Sequence, residues 1–353
     1  MFNTNQLFDI ALDLLRNLIV TPSFSKEENN TAAILENFFN KYAIKTERVG
    51  NNVWAKNLNF DLTKQTILLN SHHDTVKPNP SYTRDPYFPS IEEGKMYGLG
   101  SNDAGGSLVS LIATFLHFYD RENLKYNFVF VASAEEEISG VNGIEKVWPS
   151  LPTIDFAIVG EPTLTDIAIA EKGLLVLDCI AHGKAGHAAR EEGVNAIYES
   201  LKDIEWFRTY EFPKISASLG KIKMSVTIIQ AGQAHNQVPP ESTFTVDIRV
   251  TDAYTLEEVL ETVKKNVSST VTARSLRLRS SGIPENHALF VAAKKLGKKM
   301  YGSPTTSDQA LIPVDSIKMG PGDSARSHSA DEFIYLKEIE RGIEEYIKLI
   351  ENL

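Results

Sequence analysis

Cysteine is almost missing from this chain: Cys179 is the only one among 353 residues. One thiol cannot close a disulfide within a chain, so no covalent staple is available to the fold. Its setting, "LLVLDCIAHG", reads as a strand, which suits a small buried hydrophobe. Positive charge is in deficit, with 36 Lys and Arg against 46 Asp and Glu and a net charge of -10. No basic run is interleaved with aromatics, which argues against a nucleic-acid partner. No apolar run approaches the roughly 20 residues that a membrane span needs. The opening "MFNTNQLFDIALDLL" has no basic region followed by a long apolar core, so it does not read as a signal peptide. Internal repeats and low-complexity tracts are missing too. What remains is ordinary globular composition, 42% hydrophobic and 23% charged, enough for two domains. A soluble cytoplasmic protein is the expectation.

Leu7, Ile10, Ala11, Leu14, Leu15 and Leu18 recur at helical spacing, so the chain opens with an amphipathic helix. Ile34, Leu35, Phe38, Phe39 and Tyr42 mark a second. The runs "NNVWAKN", "QTILLN", "NFVFVAS" and "DFAIVG" read as strands, and "GGSLVSLIATFLHFY" between them as a helix. Strands alternating with helices predict an α/β domain with a largely parallel, helix-covered sheet. Residues 174–279 read differently. The runs "LLVLDCIAHG", "NAIYESLKDIEWF", "KMSVTIIQAG", "STFTVDIRV", "LEEVLETVKKNV" and "TARSLRLR" follow the order β-α-β-β-α-β of a ferredoxin-like unit. An inserted α+β domain at 174–279 would thus interrupt a discontinuous domain at 1–173 and 280–353.

The strand ends carry the chemistry. "SHHDTV" follows "QTILLN" and places His72 and Asp74 where a core strand ends. Asp103 stands at the glycine-rich turn "YGLGSNDAGGS". "NFVFVASAEEEISG" ends in Glu135, Glu136 and Glu137, three adjacent carboxylates that repel one another unless something positive neutralises them. "DFAIVGEPT" places Glu161 at a further strand end, and "IKMGPGDSARSHSADEF" places His328 in a late loop. Each has a plain alternative: a surface histidine, a proline turn, a solvated helix start. Together they set five imidazole and carboxylate groups along one edge of a parallel sheet. That donor set suits zinc, with cobalt or manganese less exclusive alternatives. Five groups exceed the need of one tetrahedral zinc and would serve two ions about 3.5 Å apart.

The order H-x-D, Y-G-x-G-x-x-D, acidic-E-E, G-E-P and a late G-P-G…H resembles the dinuclear-zinc metallohydrolases of amino-acid metabolism, and within them the acetylornithine deacetylase-like branch. The resemblance spans nearly the whole chain. It implies that His72 and Glu161 bind one divalent metal, that Glu137 and His328 bind the other, and that Asp103 bridges them. It implies that Asp74 orients His72 through its second ring nitrogen, and that Glu136 is the general base. His73 is then a spacer, pointing away from His72 on the strand.

In the inserted lid, "GKAGHAAR" implies that His187 stabilises an oxyanion across a homodimer interface. "AHNQVPPES" points to Asn236 as a substrate contact, and "VDIRV" to Arg249 as a clamp for a substrate carboxylate, although Arg249 could equally be a surface ion-pair partner. "TTSDQALIP" offers Ser307 and Asp308 as a pocket for the substrate side chain. Five positions depart from the family pattern: Ser71, Leu99, Ala104 with Gly105, and Glu135. None removes a ligand or the base. The expected reaction is removal of an acetyl or succinyl group from an amino acid, N-acetylornithine or N-acylcitrulline, in arginine biosynthesis. A dipeptidase or carboxypeptidase breaks the same bond. A non-catalytic binding protein would have lost a ligand or the base, and a lone-zinc acyltransferase does not need Asp103 together with Glu136 and Glu137.

Overall fold

The computed structural model describes residues 2–353. Two units divide the chain: Met1–Ile169, Gly282–Tyr301 and Ser307–Leu353 form one, and Ala170–Ser281 with Gly302–Thr306 form the other. No helix among the described residues is long and apolar enough to cross a membrane.

The first unit is built on a sheet whose central strands run in the order Asn127–Ser133, Thr66–His72, Phe156–Gly160, Asp315–Met319, all parallel. Antiparallel strands Asn52–Lys56 and Glu47–Val49 extend one side, and Ile167–Glu171 the other. The central strands are buried on both faces, so they read as continuous apolar runs rather than alternating ones. The period of two still sorts their side chains. Ile67, Leu69, Phe128 and Phe130 join the core beneath the helices Thr4–Ile19, Gly106–Phe118 and Leu336–Glu351. Leu68, Val129 and Val131 face the opposite way, against Ile144, Val147 and Ile154.

Helix Thr4–Ile19 starts at a capping box in which Asn3 and Gln6 satisfy each other's backbone N–H groups. Of the predicted stripe it buries Leu7, Ala11, Leu14, Leu15 and Leu18 and leaves Ile10 half-buried against the core. Helix Gly106–Phe118 buries every residue except His117, as a helix covering the middle of a sheet must.

The second unit holds a four-stranded antiparallel sheet in the order Lys223–Ala231, Glu241–Val250, Gly173–His182, Thr270–Ala273. Helices Ala196–Thr209 and Leu256–Asn266 connect its strands, which is the ferredoxin-like arrangement. The last strand is shorter than "TARSLRLR" suggests and begins earlier, at Thr270.

Candidate metal centre

Parallel strands end on one edge, and here the ends are His72, Ser133, Gly160 and Met319. His72 stands opposite Ser133 in the ladder. Glu136 and Glu137 begin a short 3-10 turn just past Ser133, and Glu161 follows Gly160 directly. Asp103 comes from the loop before helix Gly106–Phe118.

These side chains converge. His72 Nε2 lies 3.4 Å from Asp103, 3.8 Å from Glu136 and 3.9 Å from Glu161. His328 Nε2 lies 2.9 Å from Glu137 and 3.7 Å from Asp103. Donor atoms of His72, Asp103 and Glu137, and separately of His72, Glu136 and Glu161, all fall within 4.8 Å of one another. His72 is buried, and its Nε2 has no hydrogen-bond partner. An orphaned buried nitrogen facing three carboxylates is what a ligand-ready imidazole looks like without its cation.

The electrostatics agree. Burial pulls the His72 imidazole down, but Glu136, Asp103, Asp74 and Glu161 together push it well above its usual value. Burial lifts Glu136 far above the carboxylate range, and Glu161, Asp308 and Glu137 add to the lift against the pull of His72. Burial raises Glu161 to about 8. The hydrogen bond to Glu137 raises His328 to about 9. So many acids cannot all ionise in one buried place without a compensating cation. The donor set and the orphaned nitrogen therefore fit divalent metal ions.

Asp74 is arranged differently from the sequence expectation. The His72 Nδ1 bond goes to the backbone oxygen of Asp74 at 3.0 Å, with the carboxylate at 3.5 Å. That carboxylate instead accepts the N–H groups of Glu136 at 3.1 Å and Glu137 at 3.2 Å, and the Ser25 hydroxyl at 2.7 Å. It thus holds the glutamate turn as well as lying beside His72. His73 points away, as expected of a neighbour on a strand. Its ring meets Thr31 and the Asn51 carbonyl, both at 2.9 Å, and burial lowers it to about 4, so it is neutral. Glu135 turns aside to Asn142, and its N–H is received by the buried Glu28.

Asp308 opens the short turn Asp308–Ala310. It is buried, and the Ser133 hydroxyl donates to it at 2.5 Å. The Asn70 amide, in the orientation that satisfies both its ends, donates to the same oxygen at 3.2 Å. Burial raises Asp308 to about 6. Ser307 is buried as well and caps the short turn Asp308–Ala310. Ser307 and Asp308, expected to contact the substrate side chain, are thus both buried, with Asp308 held by Ser133 and Asn70.

Two of the departures have local reasons. The Ser71 hydroxyl donates to the Gly160 carbonyl at 2.8 Å, joining neighbouring strands. A side chain at Gly105 would meet the Gly100 carbonyl at 2.3 Å, so no larger residue fits.

In the second unit, His187 lies on a ribbon, Gly186–His187 paired with Gln237–Val238, and faces Gln237 in register. The Ala188 N–H donates to the Asn236 carbonyl at 3.1 Å. The structure thus brings His187 and Asn236 into one exposed feature. Arg249 sits apart, its guanidinium on Asp247 at 2.8 and 3.0 Å and on Thr306 at 3.3 Å. Any anion it clamps must compete with Asp247. Sequence reasoning missed Ser25, Glu28 and Glu332, buried or part-buried polar partners of the site's own loops. For Glu332, an acidic pair so soon after a site histidine was the available signal.

The sequence model of peptidase family M20/M25/M40 matches residues 68–352. The chain belongs to this family. The acetylornithine deacetylase of Proteus mirabilis is 30% identical over 376 aligned positions, covering 97% of this chain and 96% of that protein. The LysW-lysine/LysW-ornithine hydrolase of Saccharolobus solfataricus is 29% identical over 360, covering 98% and 95%. An M20 family metallo-carboxypeptidase from Sulfolobus solfataricus shares the fold at a TM-score of 0.75 and 18% identity, covering 96% of this chain and 98% of that one. A dinuclear metal binding M20 peptidase from Bacillus subtilis does so at 0.75 and 16%, covering 98% and 97%. The M20 chain described here is accordingly a hydrolase.

Proposed function

We propose that this M20 hydrolase holds two divalent cations, zinc first and cobalt second, and cleaves the amide of an N-acylated amino acid. The observation that carries this reading is the buried His72 Nε2, without a hydrogen-bond partner and surrounded by Asp103, Glu136 and Glu161. His72 and Glu161 would hold one ion, Glu137 and His328 the other, and Asp103 both. When bound, the cations supply Lewis acidity and make water more acidic.

The chain's own residues do the rest. Glu136 takes a proton from the attacking water and passes it to the leaving nitrogen. Asp74 holds the turn that aims it. His187 donates to the developing oxyanion, beside Asn236 as a substrate contact, and Arg249 receives the α-carboxylate. A homodimer through the second unit would set the His187 ribbon against a partner's centre. An exposed edge strand, Lys223–Ala231, supports such pairing with its outward Ile228 and Ile229, as do Tyr198 and Leu201 on helix Ala196–Thr209.

Ornithine is common to the names of both relatives, which supports N-acetylornithine as the first substrate to test, in arginine biosynthesis. N-acylcitrulline offers the same amide beside the same carboxylate. The test is amine release by zinc- or cobalt-loaded protein against a chelated control. The panel holds acetylornithine, acetylcitrulline, succinylcitrulline, acetylmethionine, LysW-bound ornithine and dipeptides. Metal-dependent cleavage of one acylated amino acid supports the proposal. Cleavage of dipeptides alone moves the protein to the peptidase reading, and silence across the panel points to a binding protein.

A further inference from the structure

Four residues beyond His328 stands Glu332, an acid to which the proposed reaction gives no part. It is only 2% exposed. Its carboxylate accepts three backbone N–H groups of one loop: Asn102 at 2.8 Å, Asp103 at 2.9 Å and Gly100 at 3.1 Å. The Gly98 N–H donates to the Glu332 carbonyl at 3.0 Å, and the strand that follows, Phe333–Tyr335, pairs with Lys95–Tyr97. The loop's path is tight. Gly100 has φ +74°, and a Cβ there would lie 2.6 Å from Thr75 Cγ2. Successive backbone N–H groups form a concavity that takes an anion. Here the anion is a side chain from a segment about 230 positions away.

Asp103 leaves this loop with its carboxylate toward both His72 and His328. Its own N–H is one of the three that Glu332 receives. The backbone that aims Asp103 is therefore fastened to the segment that carries His328. We propose that Glu332 is a positioning residue, whose carboxylate sets the Gly100–Asp103 loop and so aims Asp103 at the metal centre. The proposal rests on the two-cation reading given above. A neutral amide cannot replace this acid, because glutamine has one acceptor oxygen and turns an NH2 toward N–H groups.

The test measures metal affinity, not turnover alone. Full-length protein is stripped with a chelator and titrated with cobalt. Bound metal is counted, and the visible cobalt spectrum is recorded for wild type, Glu332→Gln and Asp331→Asn. Asp331 is the neighbouring acid, half-buried, and holds Thr83 and Arg84 instead. The expected result is two ions in wild type and in Asp331→Asn. Glu332→Gln should bind about 10- to 100-fold more weakly, with an altered cobalt spectrum. Wild-type affinity and an unchanged spectrum in Glu332→Gln would overturn the proposal while leaving the metal centre standing. Failure of the wild type itself to bind two ions would overturn the metal-centre reading and the proposal with it. If Glu332→Gln does not fold, Glu332→Asp takes its place. That variant keeps both oxygens but draws them back by one methylene, and full wild-type affinity in it would also count against the proposal.

Discussion

Glu136 and Glu137 are neighbours with different surroundings, and the difference supports the separate roles proposed for them. Glu137 shares a 2.9 Å hydrogen bond with His328, which supports the ligand role proposed for both. Glu136 is lifted well above the carboxylate range by burial and by the acids around it, a setting that suits a group passing a proton. Replacing it with Ala should lower kcat by about 10²- to 10⁴-fold while metal content is retained. Metal analysis alongside kinetics checks this, and loss of metal would mean the base is the wrong glutamate. Asp74 receives two N–H groups of the same turn, whereas its backbone oxygen serves His72. Asp74→Asn should therefore lower kcat by about 10- to 100-fold and leave the His72 bond in place. A variant that loses its metal and keeps its kcat on reloading would restore Asp74 to the simple role of orienting His72.

At the scale of elements, helix Leu336–Glu351 packs through a gap in its side chains. A Cβ at Gly342 would come within 2.8 Å of the Pro321 ring, which lies in the loop leading toward His328. Gly342→Val should cost about 1–3 kcal/mol by overpacking, read as a lowered denaturation midpoint. An unchanged midpoint would show that the helix can shift away. In the second unit the strand Gly173–His182 alternates buried and half-buried residues and turns Cys179 inward. Burial, with Asp203 and Asp178 nearby, pushes its thiol up to about 12. A raised thiol pKa means less thiolate, so at pH 8 only about one molecule in 10⁴ is reactive. Iodoacetamide should label Cys179 in denaturant and hardly at all in the native protein, and rapid native labelling at pH 8 would contradict the buried placement.

For the whole molecule, the proposed homodimer makes each centre depend on two chains. If His187 acts across a dimer, mixing Glu136→Ala chains with His187→Ala chains should restore part of the activity. Each mixed dimer would then carry one centre with an intact base and an intact partner histidine. Mixed dimers shown to form without any recovery would place His187 in its own subunit's reaction or outside it.

Much of the design was legible before any coordinates. Continuous apolar runs such as "TILLN" and "NFVFVAS" give buried parallel strands, because helices cover both faces of the sheet. Parallel strands end on one edge, so acids and histidines at the ends of these runs had to lie near one another. His72, Asp74, Asp103, Glu135, Glu136, Glu137, Glu161 and His328 could be gathered on that ground, and only the family resemblance singled out ligands and a base among them. The alternation in the second unit likewise gave its β-α-β-β-α-β order. Tertiary structure alone decided where the remaining polar groups turn. Asp74 reaches the glutamate turn, Asp308 retreats behind Ser133, and Glu332 gathers three N–H groups from a loop far away in the chain. Hydrophobic periodicity is local and can be counted in a window of residues. The partner of a buried carboxylate is whichever backbone N–H the finished fold leaves unpaired beside it, and no window of sequence contains both.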